Sequence, residues 1–369
     1  MREGDILNGY EIVTRPTNAG GGMSQWAFAR KNGTEYFLKM FLAPKFPLEE
    51  WPGSEEARTR KRATAIAFER RHLEIARRLD PNLVGGGNLV VPHEFFRVES
   101  TYVKVMEKVD AAHLPPVNLL APHQLLVLLR SLAFSVRVLH HQQVVHGDIK
   151  PDNVMVERGS GDLYVSKLID FDEAYVVGHP PPPEEIVGDP SFYSPELLRY
   201  IKRDERLPAN ALSTASDMFS LGLFLHVFLT GDQPGFDRSA VNYPAEALLS
   251  LLPLDTSAAP AVIRPLITDL LSLVPPWRPS IDDVIGFLAE VDAERLVPAA
   301  PHRRPKADRP VVRGPVPARA AAPLPPPMPH PFGAPGEPGL RNTVRPRHDA
   351  DPDADAGAGA SSPAQESTP

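Results

Sequence analysis

The chain contains no cysteine, which removes disulfide staples, thiolate metal sites and cysteine nucleophiles from consideration. The same absence fits a reducing compartment, so a cytoplasmic location is the expectation. Long apolar runs are missing as well: the longest, residues 218–229, is too short to span a bilayer. The opening residues, MREGDILNGYEIV, lack a charged start followed by an apolar stretch, so no signal peptide and no membrane partner are expected. Positive charge is not in excess. A formal net charge of −7 argues against a nucleic-acid partner, because such binders usually carry a net basic face. What is present is a chain of 369 residues, 42% of them apolar. That is enough for a sizeable core, in two domains or in one large bilobal domain with an extension.

The chemistry concentrates in HGDIKPDN, residues 146–153. Asp148 can accept a proton from an attacking hydroxyl, and Lys150 can offset charge on a transferring phosphate. Asn153 can offer an amide oxygen to a hard cation. A further acid, Asp170, ends a short apolar run in KLIDFDE. An Asp base beside Asp and Asn ligands for a phosphate-bridging metal is the working content of a phosphotransferase site. Nearer the N-terminus, three successive glycines lie between two strand-like runs, residues 10–15 and 35–41. Glycines there let the backbone approach a ligand and point N–H groups at phosphate oxygens.

On these residues the chain resembles the protein kinase family. HGDIKPDN resembles the catalytic loop, and Asp170-Phe171-Asp172 resembles the metal-binding tripeptide usually written DFG. The resemblance implies an α+β bilobal fold with a β-rich N-lobe, about residues 1–109, and a helical C-lobe, about 110–296. It implies ATP with Mg²⁺, or Mn²⁺, as cofactors and protein hydroxyls as acceptors. Asp148 and Lys150 become the catalytic pair, and Asn153 and Asp170 the metal ligands. The glycine-loop register falls on Ala19, Gly20, Gly21, Gly22, Met23 and Ser24, with Ala and Ser where the family has its first and third glycines. Lys39 resembles the strand lysine that holds the α- and β-phosphates. Its expected partner is a helical glutamate, Glu69, with Glu74 as the alternative. Met106 resembles the residue guarding the back of the adenine pocket, with the Glu107 carbonyl and Val109 amide on the adenine edge. Asp217 resembles the acid that ties down the catalytic loop. Arg278 resembles the late arginine that pairs with the Pro-Glu acid, here Glu196 in GDPSFYSPE.

Local patterns agree with this layout. Residues 122–141 repeat apolar side chains at helical spacing (Leu125, Leu128, Leu129, Leu132, Val136, Leu139), and the charged stretch 55–79 reads as a helix with Ile66, Leu73, Ile75 and Ala76 as its apolar stripe. His146 is expected to brace the loop rather than act as a base. Residues 297–369 hold well over a third of the prolines in about a fifth of the length. Such a segment is expected to be disordered, with a polyproline stretch at 323–331 able to meet a partner's aromatic groove or to serve as a plain spacer.

Lys150, the Pro-Glu segment, Asp217 and Arg278 favour a Ser/Thr protein kinase of bacterial type over a small-molecule kinase, although HGD is also seen in the latter. A pseudokinase or ATP-binding scaffold is the alternative, supported by the altered glycine loop, by Asp172 in place of glycine and by Asp189 in place of threonine. Asp172 is expected either to add a carboxylate to the metal site or to face solvent. Gly147 stands where kinases switched by loop phosphorylation carry arginine. Between Phe171 and Pro190 the only hydroxyl is Tyr175. Activity independent of loop phosphorylation is therefore expected.

Overall fold

The computed structural model describes residues 1–19, 24–80, 88–208 and 210–297. Contacts divide the chain into Met1–Ala320 and Ala321–Pro369, the second lying outside the described residues.

The N-terminal part is an antiparallel sheet of β1 (Ile6–Leu7), β2 (Tyr10–Ile12), β3 (Ser24–Lys31), β4 (Thr34–Phe41), β5 (Pro92–Val98) and β6 (Thr101–Glu107), in the order β1-β2-β3-β4-β6-β5. Asn32 and Gly33 turn β3 into β4, both with positive φ, as a two-residue hairpin twisted like its strands requires. Alternation along these strands buries Tyr10, Ile12, Ala27, Leu38, Val103 and Val105 in one small core.

Helix α1 (Glu55–Arg78) follows β4. Ser54 caps it, Glu55 and Glu56 lie in its first turn, and Arg77 and Arg78 in its last, so charge complements the helix dipole at both ends. The expected stripe is wrong in part. Ile66 and Leu73 are exposed, and the buried face is Ala65, Phe68, His72 and Ile75. Those four share one face at helical spacing. Phe68 and His72 sit among the rings of Phe41, Phe95 and Tyr102, a larger apolar surface than Ile66 and Leu73 could gain opposite.

Beyond β6 the chain becomes helical. Helix α2 (Pro122–His141) buries every leucine and valine of its expected stripe. Then come β7 (Val144–Val145), β8 (Val154–Arg158), β9 (Tyr164–Leu168), β10 (Tyr175–Val176) and α3 (Pro195–Ile201). Helix α4 (Thr214–Thr230) is apolar on nearly all sides and buried accordingly, and Gly231 ends it in the left-handed conformation. Helices α5 (Pro244–Leu249), α6 (Arg264–Leu270) and α7 (Ile281–Glu290) complete the described part. A second, larger core joins α2 and α4 to β8, β9 and the later helices. The small core under the sheet and the large one among the helices, with two lesser clusters beside them, give the α+β arrangement expected.

Candidate active site

The stretch 146–153 leaves β7 and is fixed from below by its backbone. Asp217, one turn into α4 and buried, accepts hydrogen bonds from the N–H groups of His146 (2.7 Å) and Gly147 (3.0 Å) and faces His140 Nε2 at 3.0 Å. His146 is fully buried. Its Nδ1 accepts from the Asp148 N–H at 3.2 Å, and its Nε2 then donates to the Ile169 carbonyl at 3.1 Å. With both ring nitrogens committed to backbone, His146 is the brace expected of it.

Gly147 is the position in this loop where only glycine fits. Its φ is +79°, and a Cβ there would stand 2.8 Å from the Glu173 carbonyl oxygen. The close approach of the 170–174 segment, rather than chance, excludes a side chain at this point.

Asp148 stands at the centre. Its Oδ2 accepts from Lys150 Nζ at 2.6 Å and from Asn153 Nδ2 at 2.8 Å, and Asn153 also donates to the Asp148 carbonyl at 2.8 Å. Burial raises the Asp148 carboxyl above its ordinary range and outweighs the opposing pull of Lys150. A more basic carboxylate is better suited to take a proton from an alcohol. Burial disfavours the charge on Lys150, yet Asp148 more than restores it and holds the ammonium above its usual range. Asp189 meets this group through its backbone: its N–H reaches Asp148 Oδ1 at 3.4 Å while its carboxylate caps Ser191 N–H at 2.9 Å. Its negative charge therefore faces its own turn rather than the base.

Among the described residues no cluster of three or more His, Asp or Glu side chains forms a ready metal cage. Asn153 and Asp170 still suit a hard cation that keeps water or phosphate oxygens as its other ligands. The amide nitrogen of Asn153 is used on Asp148, which leaves the amide oxygen for a cation. The Ile169 N–H donates to the Asn153 carbonyl at 3.0 Å and so ties the two ligand segments together. Asp170 itself has φ +64°, a strained setting that aspartate tolerates better than most residues. Phe171 is buried beside the His146 ring at 5.1 Å.

Farther out, Glu196 and Arg278 form the expected pair, two-pronged at 2.6 and 2.9 Å, with both side chains almost wholly buried. Arg278 also donates to the carbonyls of Ser272 and Ala215, and Ser216 donates to Glu196, so no charge in the pair is left uncompensated.

On the sheet side the outcome differs from expectation. Lys39 does not meet Glu69 or Glu74. Glu69 accepts from the Tyr102 hydroxyl at 3.1 Å, and Glu74 binds Arg77 and Arg78 at 2.9 and 2.6 Å. The face that α1 turns to the sheet is aromatic, so Glu69 lies at its edge and Glu74 beyond it. Lys39 instead contacts Asp170 at 2.9 Å and Asp172 at 2.6 Å. Burial works against the Lys39 ammonium, but the two carboxylates outweigh it and hold its pKa above the ordinary value. Asp172 likewise does not face solvent: one carboxylate oxygen lies on Lys39. Its second oxygen binds Lys104, and although burial alone would raise its carboxyl, Lys104 and Lys39 keep it ionised well below the usual range.

Of the glycine-loop residues, Gly20, Gly21, Gly22 and Met23 lie outside the described residues. Ala19 precedes them, its carbonyl accepting from the Trp26 indole at 2.7 Å, and Ser24 opens β3. Met106 is buried near the end of β6, Glu107 closes the strand with its side chain on Lys167, and Val109 lies two residues beyond. Sequence reading missed Lys104 and His72. Lys104 carried a signal: a lysine inside the apolar run Tyr102 to Met106 must be paired if the strand is buried on both faces.

A family model described as a protein kinase domain matches residues 69–286. The chain is similar to the death-associated protein kinase dapk-1 of Caenorhabditis elegans, 27% identical over 229 residues, which cover 61% of this chain and 14% of that protein. It is similar to serine/threonine-protein kinase 17A of Oryctolagus cuniculus, 35% identical over 109 residues, 29% of this chain and 24% of that one. To serine/threonine-protein kinase RAD53 of Saccharomyces cerevisiae it is 28% identical over 150 residues, 38% of this chain and 18% of the yeast protein. The chain thus spans less than a quarter of the length of each of these curated relatives.

Proposed function

The chain belongs to the protein kinase domain family, and from that premise we propose that it transfers the γ-phosphoryl group of ATP to Ser or Thr hydroxyls of protein substrates. One observation carries the reading: Asp148 is half-buried, raised in basicity, and held by both Lys150 and Asn153 on a loop locked by Asp217. Asp148 orients the acceptor hydroxyl and takes its proton, and Lys150 offsets charge where the phosphoryl group passes. Asn153 and Asp170 would hold Mg²⁺, or Mn²⁺, which when bound neutralises phosphate charge. Lys39 would hold the nucleotide's phosphates, Met106, Glu107 and Val109 the adenine, and residues 19–24 would cover the phosphates.

Activity without loop phosphorylation belongs to the same proposal. Gly147 leaves no place for an arginine, and of the hydroxyls at 175, 191, 193 and 194, Tyr175, Tyr193 and Ser194 are buried while Ser191 is half-buried. We read residues 1–109 and 110–296 as the two lobes and 297–369 as a Pro-rich tail, either a plain spacer or a segment for a partner's aromatic groove. Composition rich in Ala, Arg and Pro supports a bacterial type, and the absence of cysteine supports a cytoplasmic setting.

A scaffold that binds ATP without transfer is the second reading, favoured by one contact: Lys39 lies on Asp170, so the two groups expected to hold phosphate and metal hold each other. One experiment separates the two. Purified protein is incubated with labelled ATP and Mg²⁺ or Mn²⁺, beside Asp148→Asn. Transfer to itself or to a basic protein, falling about 10²-fold or more in the variant while ATP binding persists, supports the kinase reading. Undiminished transfer in Asp148→Asn would sink it.

A further inference from the structure

Lys39 and Lys104 are cross-strand partners on β4 and β6, and both are buried. Two ammonium groups opposite one another on a buried face repel, so an anion must sit between them. Asp172 is that anion, with one carboxylate oxygen on each lysine. Helix α1 packs over this face but offers Ala65, Phe68 and His72, none of them acidic, and its Glu69 is spent on Tyr102. Asp170 also touches Lys39, yet the phosphotransfer reading assigns Asp170 to the metal. When Asp170 turns to that role, Asp172 is the carboxylate left on Lys39.

We propose that Asp172, anchored by Lys104, is the residue that positions Lys39 for nucleotide, the task the family gives to a glutamate on the helix. The inference rests on the phosphotransfer reading for what Lys39 does, and on the three-residue contact for how it is held. Two lysines face Asp170 and Asp172, Arg71 of α1 reaches only the Asp172 carbonyl, at 3.4 Å, and His72 is kept neutral by burial and by the nearby Lys104. The chain at 172, where a glycine would leave both lysines short of a partner, thereby makes a glutamate on α1 unnecessary.

The test uses the full chain and four variants: Asp172→Gly, Asp172→Asn, Glu69→Gln and the double variant Asp172→Gly with His72→Glu. ATP affinity is read by calorimetry without and with Mg²⁺, alongside kcat, KM and melting temperature. Asp172→Gly and Asp172→Asn should each weaken ATP binding about tenfold or more, whereas Glu69→Gln should stay within about twofold of the parent. The double variant returns a carboxylate to the same pair of lysines from the helix side and should recover most of the lost affinity. A merely structural role for Asp172 would lower melting temperature without that recovery. If Asp172→Gly does not fold, Asp172→Asn keeps the side-chain volume and carries the comparison. Parent-like ATP affinity and KM in a folded Asp172 variant, or an equal loss in Glu69→Gln, would overturn the inference. That result would leave the phosphotransfer reading intact, since the latter stands or falls on labelled transfer by the parent and its loss in Asp148→Asn.

Discussion

The two halves of the site are built by different means. On the helical side the catalytic loop is gripped through its backbone: Asp217 holds two successive N–H groups, and His146 links the loop to residues 148 and 169. On the sheet side the groups are held by side-chain charge alone, with Lys39, Lys104, Asp170 and Asp172 neutralising one another. A backbone grip needs particular residues at fixed spacing, because the donor N–H groups and the acceptor must meet within hydrogen-bond distance. A charge balance asks only that a carboxylate arrive, and it can arrive from any element within reach. The family match covers residues 69–286 and leaves Lys39 outside.

The comparison breaks most readily at Arg278. Removing one partner of a buried, fully bonded pair leaves Glu196 with only the Ser216 hydroxyl against it, so Arg278→Met should lower unfolding free energy by about 3–5 kcal/mol. Urea denaturation measures it, and pairing the change with Glu196→Leu should return much of the loss. A single-variant cost below about 1 kcal/mol would show that the helical side is less tightly specified than its contacts imply. Gly147→Arg gives the family's more usual residue back to the loop. With φ at +79° and the Glu173 carbonyl in the way, it should cost at least about 1–2 kcal/mol and should not make activity depend on loop phosphate. Phosphatase treatment before and after the substitution checks the second half.

The smallest effect lies where the halves meet. Burial lifts the Glu173 carboxyl to about 7, against an ordinary 4.5. A folded-state pKa above the unfolded one means that the native protein binds the proton more tightly. Its stabilising share is fully present below about pH 4.5 and is lost as pH rises through about 7. Glu173→Gln keeps the neutral form, and its side-chain oxygen can still accept from the Val187 N–H. It should therefore raise the melting temperature at pH 8 and leave it nearly unchanged at pH 5. An equal shift at both values would show that Glu173 is ionised throughout.

Much of the helical side was legible in the sequence because its signals are local. HGDIKPDN carries base, lysine and amide within eight consecutive positions, and the apolar spacing of residues 122–141 gives α2 at its observed bounds. The pairing of Glu196 with Arg278 was also readable, since each lies in a recognisable stretch. What could not be read was the partner of Lys39. The two expected acids, Glu69 and Glu74, stood far from it along the chain, Asp172 was not among them, and the choice depends on which face α1 turns inward. That face is set by Phe68 and His72 meeting Phe41, Phe95 and Tyr102, which is tertiary packing rather than local pattern. Periodicity alone favoured Ile66 and Leu73, and packing chose otherwise.

The ring cluster around His72 has a consequence for control. The helix is seated mainly by rings, with Arg71 reaching the Asp172 carbonyl at 3.4 Å, and swinging it away would expose Phe41, Phe68 and Phe95 together while breaking no ion pair to Lys39. It is therefore a poor two-state element: an effector acting on α1 would work against apolar burial and would gain no direct hold on the phosphate-binding lysine. The route by which a distant event could reach Lys39 runs instead through residues 170–174. That segment carries Asp170 and Asp172 at one end and presses its Glu173 carbonyl against Gly147 at the other. A signal that shifts this short stretch reaches both halves of the site at once.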